Sequence, residues 1–142
     1  MKNFIDCIIA IKSEWDKYLK NSLSEYSITY GEYNGIVVLD DKEKLSSNIL
    51  AGRMKLSPSR ASRVIENMVK KKVLIRDIDC DDRRKCTIEL TKRGLKIKNM
   101  IEKIKLDFYN KIVGNLKQDE LSSVKFALKK IIDSCQIEKH NI

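Results

Sequence analysis

Residues Leu56–Gly94 read LSPSRASRVIENMVKKKVLIRDIDCDDRRKCTIELTKRG, and the change of period inside them decides the fold. Ser57-Pro58 opens a helix: Ser57 stands at the capping position, and Pro58 at the first helical position loses no useful N–H. Ala61, Val64, Ile65 and Met68 then share one helical face, and Lys70-Lys71-Lys72 closes the helix at the negative end of its dipole. In Cys86-Thr87-Ile88-Glu89-Leu90-Thr91 apolar and polar residues alternate instead, as in a half-buried strand. Upstream, Leu74, Ile78 and Cys80 share one face of a partner strand. A hairpin centred on Arg83 sets Ile78 opposite Ile88 and Cys80 opposite Cys86, with Asp82-Arg83-Arg84 at the tip and only Val73 and Ile75 off the apolar face. Other registers satisfy the same alternation. Before this stretch, Ser46 or Ser47 can cap a short helix over 48–54, and Lys55-Leu56 makes a tight turn. Two short helices, a tight turn and a two-stranded ribbon predict a winged helix-turn-helix.

Outward from this unit the chain reads as helix. Toward the N-terminus, Phe4, Ile8, Ile11, Trp15 and Tyr18 fall at alternating steps of four and three, predicting a helix over about 3–25 with a narrow seam. Thr29-Tyr30-Gly31-Glu32 reads as a capping box for a second helix to about Leu39, in which Gly31 and Gly35 each cost roughly 1 kcal/mol against alanine. Toward the C-terminus, Thr91 can cap a long helix over about 92–115 with Ile97, Ile101, Ile104 and Phe108 inward. A sixth helix begins near Gln118, with Leu121, Val124, Leu128, Ile131 and Cys135 again alternating steps of three and four. The expected fold is mainly α with a small β-hairpin wing, and both terminal helices carry seams suited to packing helix on helix. The corresponding division is residues 1–28 for dimerisation, 29–94 for the winged lobe and 95–142 for further dimerisation helices.

The 142-residue chain holds 29 Lys and Arg against 20 Asp and Glu, a formal charge of 29 − 20 = +9. At 42% hydrophobic it can bury a real core, which excludes a disordered basic tail. Its longest apolar runs, such as Ile36-Val37-Val38-Leu39, are too short to span a bilayer, and acids beside the apolar residues of the N-terminus argue against a leader peptide. Four scattered cysteines make no disulfide scaffold, so a cytoplasmic location is expected. No glycine-rich phosphate loop or nucleophile motif is present, and the one histidine, His140, lies near the C-terminus, so an enzyme, a cofactor and a metal site are not expected.

Charge points to the partner. From Arg53 to Lys72 stand seven basic residues (Arg53, Lys55, Arg60, Arg63, Lys70, Lys71, Lys72) and one acid, Glu66, so +6 of the excess of +9 lies on the helix-turn-helix. Ser59, Arg60, Ser62 and Arg63 point away from the apolar face in the first two turns, the end that meets base edges. A solvated basic face is the plain alternative, but its coincidence with a helix-turn-helix favours double-stranded DNA. At the ribbon, Asp77, Asp79, Asp81 and Asp82 offset Arg76, Arg83, Arg84 and Lys85. An aspartate two residues before an arginine can hold the guanidinium extended for the narrow minor groove of A·T-rich DNA, whereas local ion pairs at an exposed tip are worth under about 1 kcal/mol.

LSPSRASRVIENMVKKKVLIR (Leu56 to Arg76) and DDRRKCTIELTKRG (Asp81 to Gly94), the second with D-x-R followed by L-T-x-x-G, resemble the MarR family of bacterial transcription regulators. The resemblance implies an obligate homodimer whose first, fifth and sixth helices form the interface, a recognition helix in the major groove and a wing arginine in the minor groove. By motif position the wing pair is Asp82 and Arg84, and the recognition-helix contacts are Pro58, Ser59, Arg60, Ser62 and Arg63. Ser57, Arg83 and Lys85 flank them and complete the expected DNA-binding set. The family usually has glycine where Lys72 stands and often at Lys55, so a left-handed backbone there costs lysine about 1 kcal/mol each.

Family members commonly answer small aromatic or phenolic ligands or oxidants, and some answer neither. Trp15, Tyr18, Tyr30 and Tyr33, with Tyr26, cluster where the family's pocket lies, and are either ligand-binding or simply interface and core. Ile28–Tyr33 resembles the peroxide-sensing branch, whose reactive cysteine sits early in the first helix, as Cys7 does. An ordinary buried cysteine is the competing reading for Cys7. Cys80 and Cys86 approach disulfide distance if the Arg83-centred register holds. The expected function is a sequence-specific homodimeric regulator, a repressor released by a small ligand or oxidation. The alternative is a winged-helix domain acting through nonspecific DNA binding or protein–protein interaction.

Overall fold

The computed structural model describes residues 3–78, 81–82 and 86–137. It forms two compact units, Met1–Lys105 and Leu106–Ile142. In chain order the elements are α1 (Phe4–Ser24), α2 (Tyr30–Val37), β1 (Leu45–Ser46), α3 (Ser47–Met54), α4 (Pro58–Lys70), β2 (Leu74–Ile78), β3 (Cys86–Leu90), α5 (Lys92–Val113) and α6 (Gln118–Ile137). The mainly helical fold with a small antiparallel sheet is the one expected from the change of period.

Local chemistry explains most helix starts. Asn3 caps α1 by accepting from the Asp6 N–H, and Ser46 caps α3 by accepting from the Ile49 N–H at 3.3 Å. Thr29 and Glu32 form the capping box of α2: Glu32 N–H donates to Thr29 Oγ1 at 3.2 Å, and Thr29 N–H donates to Glu32 Oε2 at 3.0 Å. Ser57 departs from expectation. It occupies the capping position of α4, yet its hydroxyl accepts from no helix N–H and lies 3.4 Å from the Ser59 hydroxyl.

Three helix ends share one device. After α1, α3 and α4 the chain enters the left-handed region at Ser27 (φ 57°), Lys55 (φ 54°) and Lys72 (φ 59°). At each, two reversed backbone bonds close the end: Ile28 N–H to Leu23 O, Leu56 N–H to Ala51 O, and Val73 N–H to Met68 O, each with its inner companion bond. The next residue in each case is apolar and packs on the core, Ile28 and Val73 buried and Leu56 half-buried. The left-handed cost at the two lysines is therefore incurred, and burial of the following side chain offsets it. Ser27 is a third such site, which carried no sequence signal.

The sheet differs from the expected two-stranded ribbon. Its order is β1-β3-β2, with Leu45 opposite Ile88 and Ser46 opposite Thr87. The register places Leu74 opposite Leu90, Arg76 opposite Ile88 and Ile78 opposite Cys86. That is two residues from the Arg83-centred pairing. The shift keeps every side chain on its face, so alternation could not detect it. The base of the hairpin sets it instead: Thr91 N–H donates to Val73 O at 3.1 Å, locking the pair of strands beside Leu74 and Leu90. Two burial expectations reverse for a different reason, since Val73 turns onto the core at the end of α4 and Ile78 ends β2 beyond it. Val73 is fully buried, and Ile78 is 53% exposed.

A continuous core of the first unit joins Leu19, Leu23, Ile36, Leu50, Ile65, Met68, Ile88 and Ile101. Gly35 lets α2 lie close against α3 and α4, since a Cβ there would lie 3.0 Å from Met68 Sδ and 3.4 Å from Met54 Cε. Gly94 is tighter still: a Cβ would meet Val73 O at 2.3 Å. Thr91 completes that junction, its hydroxyl donating to Lys72 O at 2.6 Å and accepting from Gly94 N–H at 3.0 Å. In the second unit, Lys125 lies over the Tyr109 ring and Lys130 over Phe126, while Val124, Phe126, Leu128 and Ile132 stand exposed along α6. Along α1, Phe4, Ile8 and Ile11 are likewise exposed.

Gly94→Ala should cost about 2–3 kcal/mol, because the clash is with backbone that Thr91 and β3 hold in place. A thermal melt matching wild type would show that the α5 junction yields freely. Lys72→Gly is expected to raise stability by about 0.5–1 kcal/mol by removing the left-handed penalty. Urea unfolding measures it, and a lower midpoint would assign Lys72 a stabilising contact that outweighs its strain.

Candidate nucleic-acid interface

Helix α4 presents two chemically opposite faces. Ala61, Ile65 and Met68 are buried against the core, which leaves Ser59, Arg60, Ser62 and Arg63 exposed in the first two turns. Among the described residues Arg60 and Arg63 have no acceptor, so both guanidiniums are free to take one from outside. The Ser57 hydroxyl, turned to Ser59, also leaves the first-turn amides of α4 without that side-chain cap, at the positive end of the dipole. Every predicted recognition-helix residue, Ser57, Pro58, Ser59, Arg60, Ser62 and Arg63, is exposed on this one end. Of the wing set, Asp82 is described and half-buried. Arg83, Arg84 and Lys85 lie outside the described residues, as does Cys80. With Cys86 paired to Ile78, the register that would have brought Cys80 beside Cys86 is not the one formed.

The seven cations from Arg53 to Lys72 do not act alike. Arg53 forks onto Glu43, with Nη1 and Nη2 each 2.7 Å from a carboxylate oxygen, and Nη1 also donates to Val38 O at 3.1 Å. That guanidinium holds the Glu43 carboxyl below the usual carboxylate range, and the carboxylate in turn raises Arg53. Lys71 turns inward, donating to Ser27 O at 2.7 Å and to Glu32 Oε2 at 2.8 Å. Lys55, Arg60, Arg63, Lys70 and Lys72 remain as the outward charge. Arg76, counted at sequence level with the wing, lies 3.6 Å from Glu66 of α4 and borders a small recess with Asn48 and Ser62. Asp77 and Glu89 of the wing strands both face Lys44, at 4.0 and 3.8 Å.

The aromatic cluster separates in space. Trp15, Tyr18 and Tyr33 pack against the core, whereas Tyr30 is exposed and lines a groove of about 680 Å³ with Leu23, Ser24, Ile28, Asp16 and Lys20. Tyr30 and Tyr33 still touch, their ring centroids 5.6 Å apart. Burial pushes the Tyr33 hydroxyl above its usual pKa. Cys7 is exposed on α1, contrary to the reading of it as an ordinary buried cysteine. Among the described residues no group of three His, Cys, Asp or Glu side chains could hold a metal ion, and no helix is long and apolar enough to cross a membrane.

Two short helices meeting through a tight turn, a basic outward helix end and a flanking antiparallel wing define a winged helix-turn-helix protein. The sequence matches no established family profile. It is 30% identical over 102 residues to the HTH-type transcriptional regulator SarZ of Staphylococcus epidermidis, covering 72% of this chain and 68% of that one. The SarZ of Staphylococcus aureus is 28% identical over 108 residues, 76% of this chain and 72% of its own. In three dimensions the chain resembles a mutant of MepR from S. aureus (TM-score 0.83, 22% identity, 94% and 99% of the two chains). It also resembles apo MarR from E. coli (TM-score 0.76, 20% identity, 92% and 97%). Another MepR mutant, bound to an oligodeoxyribonucleotide, superposes with TM-score 0.73 at 22% identity over 95% and 99%. The chain belongs to the MarR family of winged helix-turn-helix proteins and is a DNA-binding transcriptional regulator.

The Glu43–Arg53 clamp makes a pH prediction. A carboxyl lowered in the folded state adds stability that is complete above its unfolded value near 4.5 and is lost as pH falls through the lower folded value. Glu43→Gln should therefore flatten the acid limb of the stability curve below about pH 4.5 while leaving neutral-pH folding cooperative. An acid limb of unchanged steepness would assign that sensitivity to other carboxylates.

Proposed function

We propose that the chain binds an inverted-repeat operator as a homodimer, represses transcription there in the cytoplasm, and is released by a small aromatic ligand or by oxidation. The observation that carries the reading is exposed Arg60 and Arg63, without an acceptor among the described residues, beside Ser59 and Ser62 on the first two turns of a helix that buries Ala61, Ile65 and Met68 on its opposite face. Such a helix end can enter the major groove and pair guanidinium forks with guanine O6 and N7. In this reading residues 1–28 and 95–142 form the dimer and residues 29–94 the DNA-binding lobe. The exposed apolar seams of α1 and α6 support it, because Phe4, Ile8, Ile11, Val124 and Leu128 would otherwise stay in water. Asp82 and Arg84, with Arg83 and Lys85, serve as the minor-groove wing. The groove beside Tyr30, about 680 Å³ and largely apolar, supports a ligand of aromatic size, and the exposed thiol of Cys7 supports an oxidant as the alternative effector.

Selection of bound fragments from random duplex DNA at near-physiological salt tests the reading. An enriched palindrome with half-sites about ten base pairs apart supports a sequence-specific dimer. Binding with no enrichment that vanishes as salt rises would replace it with nonspecific association. On the enriched operator, Arg60→Ala and Arg84→Ala should each weaken binding by about 1–3 kcal/mol. Unchanged affinity for Arg84→Ala would remove the wing from the interface.

A further inference from the structure

We propose that Lys71 is a positioning residue for DNA recognition: it touches no DNA, and through Ser27 and Glu32 it sets the angle at which α4 meets the duplex. The proposal rests on the sequence-specific reading above. By composition Lys71 belongs to a run of three lysines that reads as phosphate-binding charge. In the fold its ammonium is spent inside, 2.7 Å from the Ser27 carbonyl and 2.8 Å from Glu32 Oε2, while Lys70 and Lys72 on either side are exposed.

The geometry gives this contact leverage. Lys71 caps the C-terminus of α4 just before the left-handed turn, and the base-reading side chains sit at the other end. From Lys71 back to Arg60 is about 16 Å along a helix. A tilt of about 10° about the Lys71 end moves the Arg60 backbone by nearly 3 Å, the length of one hydrogen bond. Apolar packing of Ala61, Ile65 and Met68 holds the helix on the core, but such packing is non-directional and specifies angle weakly. The charged contact is directional. Its acceptor is anchored from the other side, because Glu32 is 2% exposed and the same Oε2 accepts the Thr29 N–H. Ser27, the second acceptor, is held by its left-handed turn and by Ile28 in the core. One ammonium thus ties the end of the recognition helix to the α1–α2 corner.

The test compares wild type with Lys71→Met on the selected operator and on a scrambled duplex of equal length, each across a salt series. A positioning role expects operator affinity to fall about tenfold or more, scrambled-duplex affinity to stay within about twofold, and the slope of log K against log salt to hold. A phosphate-binding lysine would weaken both duplexes alike and lower that slope by about one, which would overturn the proposal. Glu32→Gln keeps an oxygen for Thr29 and loses the ion pair, so it is expected to reproduce the loss of specificity. It carries the test if circular dichroism shows Lys71→Met unfolded at the assay temperature. A folded variant with undiminished operator preference also overturns the proposal. Absence of any preference in wild type defeats the functional reading itself, and the positioning role with it.

Discussion

Burying a carboxylate is costly unless it is hydrogen-bonded, and Glu32, 2% exposed, finds its partners at the corner where three elements meet. It caps its own helix with Thr29, closing α2 locally. It also receives Lys71 from the end of α4, which in turn binds the Ser27 carbonyl at the end of α1. The exit of α1, the entry of α2 and the exit of α4 are therefore mutually constrained. Apolar burial drives these helices together, and the corner selects one arrangement of them.

The same economy appears at the helix ends. Ser27, Lys55 and Lys72 accept a left-handed backbone so that Ile28, Leu56 and Val73 can turn back onto the core. At Lys72 the reversal also delivers the chain into β2, where the Lys72 and Val73 carbonyls accept from Thr91 at the base of the hairpin. Gly94 is required because α5 begins against that same Val73 carbonyl. The L-T-x-x-G segment is thus a joint between wing and helix: threonine supplies the hydrogen bonds and glycine the clearance.

Charge in the lobe is divided between holding and reaching. Arg53 and Lys71 spend their hydrogen bonds within the chain, and Arg76 lies beside Glu66. Arg60 and Arg63 remain outward, at the end of α4 where the buried face forces them into solvent. The net charge of the segment therefore overstates the charge facing a duplex, and the difference is structural.

Legibility in the sequence followed distance along the chain. Helix positions, the capping box at Thr29 and Glu32, the switch from helical to alternating period, and the outward set Ser59, Arg60, Ser62 and Arg63 were all readable, because each depends on residues within about one turn or one strand step. Left-handed lysines at 55 and 72 could be suspected only from the resemblance to the MarR family, and Ser27 gave no signal. The two-residue strand β1 was too short to show a period, and the hairpin register was ambiguous because a two-residue shift preserves faces. Lys71 meets Glu32 across 39 positions and Arg53 meets Glu43 across 10, pairings that charge runs do not encode. What the sequence by itself determined was which residues form helices and which face each presents, since backbone propensity and period are local. Which cations reach outward, how the wing registers and where the recognition helix points were decided only in the tertiary structure, where buried charge and hydrogen-bonding groups must be satisfied by whatever the fold brings beside them.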